Sequence, residues 1–331
     1  MDFYNSNYFQ SKEFKELNKE IFNYEIINTV ENKFYIYRNN RIFNKKINIS
    51  KANFGSEFKG ILETFGQIIN LNSGDYGEKL RSFLKKNNEI VEKKKIGIIT
   101  FRAFDIEQKE KFDEIKDIFK NEKFVCRPWK TSIINLNSIS KDDLIKSFYT
   151  RREIRRIKKK NVFIENVNSF EEYKLYIKYF LKSFGHENYP NKDKYYFYSM
   201  WENLKIFHNF FIIKVDKEPY AIFGVRIFNK RAYWCMVGRL KNYKYSLHAY
   251  AIDFLFDFLS QKKVNFLDLT GFNPNPKTKK EESIKKFKNL FNAKIIYQPT
   301  FIKDNTFLIK TLRKISNKIL SKNTFADQNI F

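Results

Sequence analysis

Phe266-Leu267-Asp268-Leu269-Thr270-Gly271 is the stretch on which the reading of this 331-residue chain turns. Residues 264–269 form a short apolar run of strand formers with a carboxylate near its end. Gly271, Pro274 and Pro276 then force irregular chain. A helix follows, with Ile284, Phe287, Leu290 and Phe291 on its buried face and Lys285, Lys286 and Lys288 beside them. One strand end presents Asp268, a loop crosses, and a helix brings back an ammonium. Such an arrangement builds a polar pocket at the edge of a sheet. The same residues also fit an exposed acid and a solvated lysine on an ordinary amphipathic helix, and spacing alone leaves both open.

Working outward, the hydrophobic periodicity predicts a meander of three strands at residues 209–215, 220–228 and 232–238, then a helix at 247–259. A strand at 293–301 is expected to close this sheet, and a basic amphipathic tail helix to follow at 304–322. Upstream, Ser169 and Glu172 form a capping box that opens a helix at 169–184. A break at 185–190 and a helix at 194–204 follow. A further helix is expected at 141–160, with Asp142 and Asp143 in its first turn and Lys158, Lys159 and Lys160 in its last, which suits the helix dipole. On it Arg151, Arg152, Arg155 and Arg156 make one cationic ridge. That ridge is either a phosphate-binding face or a solvated helix face.

The first third reads as a helix at 8–20, strands at 24–29 and 33–38 with a turn at Asn39-Asn40, a helix at 76–87, a strand at 96–101, a helix at 108–120 and a strand at 124–136. Within residues 52–74, Phe54-Gly55 and Phe65-Gly66 bracket room for a strand and a loop, whose bounds the pattern does not place. Helices and strands mixed in this order indicate the α+β class.

Composition bounds the function. With 43% hydrophobic residues the chain is globular. Its net charge of +26 points to a polyanionic partner: nucleic acid, an anionic membrane surface or a phosphorylated substrate. Part of that charge follows from a general bias toward Lys, Asn, Ile, Phe and Tyr. Cys126 and Cys235, and His186, His208 and His248, lack the spacing of a metal site, and no metal is expected. No run approaches the ~20 apolar residues of a membrane span. The N-terminus has no basic region followed by an apolar run, so a cytoplasmic location is expected.

Two segments carry a resemblance. Asp268-Leu269-Thr270-Gly271, the proline-containing loop and Phe287-Lys288-Asn289-Leu290-Phe291 resemble the C-terminal end of the FemABX-like transferases, which are built from GNAT-like domains. Trp129-Lys130-Thr131-Ser132-Ile133-Ile134-Asn135-Leu136, followed by the helix Arg151-x-x-Ile154-Arg155-x-x-x-Lys159, resembles that family's interdomain region. The resemblance implies two GNAT-like domains, each a mixed, mainly antiparallel sheet flanked by helices, at residues 1–137 and 138–303, with a tail at 304–331. It implies transfer of an aminoacyl group from aminoacyl-tRNA to an amine on a cell-wall or cell-surface precursor, with no resident cofactor. In that reading Lys288 stabilises charge on the reacting carbonyl, or else grips a substrate phosphate. Asp268 orients the incoming amine or takes its proton, or else only caps the following loop. Arg151 and Arg155 hold phosphate, and His186, Tyr195, Tyr233, Trp234, Arg239 and Lys285 bind the substrate, unless Gly185-His186 only ends its helix and Trp234 is an ordinary core aromatic.

An acyl-CoA donor would need a glycine-rich turn after the central strands, where backbone N–H groups meet the pyrophosphate. Here the turn reads Arg239-Leu240-Lys241-Asn242-Tyr243-Lys244-Tyr245-Ser246, without a glycine. Acyl-CoA-dependent N-acylation of an amino-sugar, and a non-catalytic basic binding module, remain the rival expectations.

Overall fold

The structure, a computed structural model, describes residues 25–28, 33–37, 61–65, 74–94, 96–102, 105–184 and 194–305. They fall into two compact units. One is drawn from the chain up to Trp129 and again from Ile296; the other runs from Lys130 to Ile295.

The first unit holds strands β1 (Glu25–Asn28), β2 (Lys33–Tyr37), β3 (Ile61–Phe65), β4 (Ile98–Arg102) and β5 (Val125–Arg127), with a late strand β13 (Thr300–Asp304). Their order is β1-β2-β3-β4-β13-β5, antiparallel except for β3 beside β4. Helices α1 (Tyr76–Lys94) and α2 (Lys109–Asn121) pack on it. Phe112, Ile115, Ile118 and Phe119 of α2 recur at helical spacing and are buried, and Phe119 stacks on Phe301 at 3.9 Å between centroids.

The second unit holds β6 (Lys130–Asn135), β7 (Val162–Asn166), β8 (His208–Val215), β9 (Glu218–Phe228), β10 (Arg231–Arg239), β11 (Phe266–Phe272) and β12 (Lys294–Tyr297). The sheet order is β12-β6-β11-β10-β9-β8-β7, and β10 runs parallel to β11. Its helices are α3 (Phe148–Lys158), α4 (Phe170–Phe184), α5 (Lys194–Leu204), α6 (Leu247–Gln261) and α7 (Lys279–Lys288). One face of the sheet meets α3 and α6 through Ile154, Ile157, Leu247, Ala251, Ile252 and Leu255. The other meets α4 and α5 through Tyr173, Tyr176, Phe210 and Trp201. Two mainly antiparallel sheets flanked by helices are the α+β arrangement that the sequence indicated.

Several boundaries differ from expectation, each for a local reason. The strand expected at 124–136 is two strands in two sheets. Pro128 has no amide hydrogen to continue the ladder, and the Trp129 N–H turns back to the Arg127 carbonyl at 2.9 Å. The strand expected at 293–301 divides in the same way at Pro299, into β12 and β13. These two prolines put the crossings between sheets near 129 and 296, where the sequence reading placed domain limits at 137 and 303. The helix expected at 141–160 starts only at Phe148. Ser147 caps it by accepting from Thr150 N at 3.3 Å, so Asp142 and Asp143 precede it and sit in a turn in which the Asp143 N–H donates to Ser140. The capping box at Ser169 and Glu172 is formed, with its two bonds at 3.2 and 3.0 Å. The strand β3 lies in the stretch between Phe54-Gly55 and Phe65-Gly66, where a strand and a loop were open without placed bounds. The helix at 8–20, the turn at Asn39-Asn40, the break at 185–190 with His186, and the tail helix past residue 305 lie outside the described residues.

Candidate functional site

β10 and β11 are paired only at Arg231↔Phe266, Ala232↔Leu267 and Tyr233↔Asp268. Beyond that point β10 runs on to Arg239 and β11 to Phe272 without a shared register. Each strand carries an irregularity there. β10 shifts register against β9 between Cys235 and Gly238, with Met236 at φ 49°, and β11 shifts against β6 between Asp268 and Gly271, with Thr270 at φ 64°. Two parallel strands that part, each bulged, open a fork at the carboxyl end of the pair. Ligands of open sheets gather at such ends.

The bulge on β11 is where the expected residues meet. Leu267 and Leu269 face the α3/α6 core, so strand alternation turns Asp268 to the other face with its register partners Tyr233 and Ile133. Asp268 is 1% exposed. Oδ2 accepts from the Arg231 guanidinium, itself buried. Oδ1 accepts from the Thr131 hydroxyl and from Thr270 N at 2.7 Å. Both carboxylate oxygens are therefore engaged inside the protein. Of the roles open to Asp268, capping the following loop is the one its contacts match.

Lys288 arrives from the last turn of α7. Thr278 caps that helix through Glu281 N at 3.2 Å, acids fill the first turn, and lysines fill the last, as the dipole favours. Nζ donates to the carbonyls of Thr270 and Gly271 at 2.6 and 2.7 Å. Thr270 is thus gripped from both sides, its N–H by Asp268 and its carbonyl by Lys288, in a left-handed conformation that an L residue with a branched side chain resists. Burial pushes the Lys288 ammonium down to a pKa of about 7, and the nearby Asp268 charge opposes that shift. Replacing Thr270 by glycine relieves the left-handed strain. Denaturant unfolding is expected to show a gain of about 0.5–1 kcal/mol. A loss would mean that the threonine side chain, whose hydroxyl donates to Leu269 O at 2.7 Å, outweighs the strain.

The other expected residues divide. Tyr233 is half-buried on the Asp268 face, with the Arg231 guanidinium 4.8 Å from its ring centroid. Trp234 points the opposite way into the core, stacked on Phe223 at 4.9 Å: of its two expected places, along the substrate or in the core, strand alternation gives it the second and corrects the first. Lys285 donates to Pro274 O at 2.8 Å and so ties the proline loop to α7. Arg239 is exposed at the end of β10. Arg151 is half-buried and donates to Asp142 O at 3.0 Å, while Arg155 is exposed on α3. The Tyr195 side chain, like His186, lies outside the described residues.

Two participants were missed: Arg231 and Thr131. A carboxylate inside a Leu-Asp-Leu strand calls for a cation, and Arg231, which lies between the strands expected at 220–228 and 232–238, supplies it. His248, in the first turn of α6, is half-buried between the Trp234 and Phe287 rings, with Nε2 3.3 Å from Gly238 O. Burial first, then the Arg239 charge, lowers its pKa to about 4, so it is neutral at neutral pH. Gly238 has a packing reason: a Cβ there would lie 2.3 Å from Ser183 Oγ, and its absence lets α4 close on the bulge of β10.

The turn after β10 is filled. Tyr243 meets Tyr220 and Tyr245 edge to face at 5.7 and 5.8 Å, Lys241 pairs with Glu218 at 3.2 Å, and the α6 N-terminus is capped by Ser246. Among the described residues no group of three or more His, Cys, Asp or Glu could hold a metal, and no helix is long and apolar enough to cross a membrane.

Solved structures with the same arrangement are known. The structure of FemX superposes with a TM-score of 0.66 over 94% of this chain and 95% of that one, at 11% identity. The fold is that of FemX. L-PGS from Bacillus licheniformis matches with a TM-score of 0.55 over 95% and 97% of the two chains, at 9% identity. The C-terminal domain of a putative lysylphosphatidylglycerol synthetase from Agrobacterium fabrum gives 0.53 over 94% and 92%, also at 9% identity. No family profile and no curated protein sequence matches the chain. The FemX-like fold is thus held by a sequence far from these relatives.

Proposed function

We propose that this chain is an aminoacyltransferase, moving an aminoacyl group from aminoacyl-tRNA to an amine of a cell-wall or cell-surface precursor. The observation that carries this reading is Lys288, a buried amine that donates to the Thr270 and Gly271 carbonyls of the β11 bulge. In aminolysis the amine nitrogen attacks the ester carbonyl, negative charge gathers on the carbonyl oxygen, and the C–O bond to the ribose then breaks. The departing oxygen takes the proton that the amine loses. Lys288 stabilises the charged oxygen. Asp268 acts through the backbone: by holding Thr270 N it sets the bulge whose carbonyls aim Lys288. The FemX-like fold supports a transferase, and the net charge of +26 suits a polyanionic donor. The tyrosine-filled turn before α6 speaks against the pyrophosphate cradle that a CoA donor uses.

The test is transfer of a radiolabelled amino acid from charged tRNA to an amine-bearing precursor, alongside calorimetric titration with CoA. Transfer with no CoA binding is expected; micromolar CoA affinity would move the donor to acyl-CoA. The pH profile tests the lysine. An ammonium role requires kcat/KM to fall as pH rises through about 7, where free Lys288 loses its proton. A rise through that pH that disappears in Lys288→Met would instead make neutral Lys288 a base, whereas one that persists belongs to the acceptor amine.

A further inference from the structure

Helix α3 carries a surface that the transfer chemistry leaves unused. Thr150, Glu153, Ile154 and Ile157 are its buried residues. Away from them stand Phe148 and Tyr149, 67% and 65% exposed, with exposed Arg152, Arg155, Arg156 and Lys159. Adjacent large aromatics left this open to water mark an interaction surface more often than a core defect. The arginines are not a product of general composition. Lysine outnumbers arginine 50 to 13 in the chain, yet four of the 13 arginines fall within residues 151–156. Arg151 is taken up by the Asp142 carbonyl, and Lys158 pairs with Asp253 at 2.7 Å. Among the described residues no carboxylate pairs with Arg152, Arg155 or Arg156.

The surface begins beside Lys288. Ile145 forms an antiparallel bridge with Phe291, Lys146 N donates to Leu290 O at 2.8 Å, and Asn292 N donates to Leu144 O at 2.9 Å. Phe148 follows Lys146 by two residues and Lys288 precedes Leu290 by two, so the backbone path between them through that hydrogen bond is at most ~20 Å.

We propose that this face of α3 docks the unpaired end of an RNA, with bases stacked on Phe148 and Tyr149 and phosphates gripped by Arg152, Arg155 and Arg156. The inference rests on the aminoacyl-tRNA reading above and gives the donor's end a place next to Lys288. Guanidinium forks bind phosphate bidentately and stack on bases, which lysine does not do. Aromatic rings bind unpaired bases whatever their sequence. A bilayer would call for an apolar stripe along the helix, whereas the exposed apolar residues of α3 are confined to its first two positions.

Fluorescence anisotropy with the full chain tests this, using an RNA hairpin with an unpaired 3′ extension and the same hairpin with a blunt end. Wild type is expected to bind the extended RNA about tenfold more tightly or better. F148A/Y149A should abolish that preference and leave blunt-end binding in place. R152A/R155A/R156A should weaken binding to both and lower the salt slope by about two. R152K/R155K/R156K, which keeps the charge, should hold the slope and still lose affinity. Equal affinity of wild type for the two RNAs, or variants without effect, overturns the proposal. So does loss of binding to anionic phospholipid vesicles with RNA binding intact, which would make the face a membrane surface. Transfer assayed on the same preparation separates the two ideas. An RNA-end preference without transfer leaves the face and removes the enzyme; transfer without the preference does the reverse.

Discussion

Lys288→Met is expected to lower the rate of aminoacyl transfer by about 10²–10³-fold, the usual loss when one group that stabilises a developing oxyanion is removed. The same variant should change the pH dependence of stability in a definite direction. The native Lys288 has a pKa of about 7 against an ordinary 10.5, so between those values the unfolded chain binds a proton that the native chain does not. Stability therefore rises with pH across that window, and the burial penalty is fully present below it. At about 1.4 kcal/mol per unit the contribution is at most roughly 5 kcal/mol. Chemical denaturation of wild type and Lys288→Met from pH 6 to 10 checks it: wild type should gain stability relative to the variant as pH rises through that window. A constant difference would mean that Lys288 keeps an ordinary pKa, and it would remove the pH argument for its role.

Arg231→Met is expected to destabilise the second unit by about 3–5 kcal/mol, because it leaves the Asp268 carboxylate buried without its cation. For a unit of this size that is a fall of roughly 10 °C in melting temperature. Pairing it with Asp268→Leu should recover part of the loss, since the uncompensated charge is then gone. Asp268→Asn separates positioning from proton transfer. An amide oxygen can still accept from Thr270 N, so a positioning Asp268 leaves measurable transfer with an unshifted pH profile. If an Asp268→Asn variant shown to be folded at the assay temperature instead costs as much as Lys288→Met, the carboxylate takes part in the chemistry directly.

The strands and helices of the second unit were largely legible in the sequence, because their hydrophobic periods are strong. Helix α5 and the β8–β10 meander lie close to where the pattern puts them. Errors collected at prolines and caps. Pro128 and Pro299 each divide what hydrophobicity alone joins, and Ser147 stops a helix that charge alone would extend to residue 141. Periodicity reports which side of an element is apolar; it does not report where the backbone hydrogen bonds go.

The candidate site was half legible. Asp268 and Lys288 could be singled out because an acid at a strand end and a lysine on the next helix stand on adjacent elements. Their division of labour could not be read, since it depends on Arg231 and Thr131, 37 and 137 residues from Asp268 along the chain. Trp234 shows the same limit, as its neighbour Tyr233 faces the site and it faces the core.

By itself the sequence determined the α+β class, the basic character, the lack of a glycine cradle before α6 and the pairing of a carboxylate strand with a lysine helix. These follow from composition and from periods of two and 3.6 residues, which are local properties. Only the tertiary structure decided that β10 and β11 part beyond Tyr233 and Asp268, that Asp268 is bound inside the protein, and that Lys288 meets Thr270 and Gly271. Those depend on sheet register and on the burial of charge, which arise when distant segments pack and water is excluded.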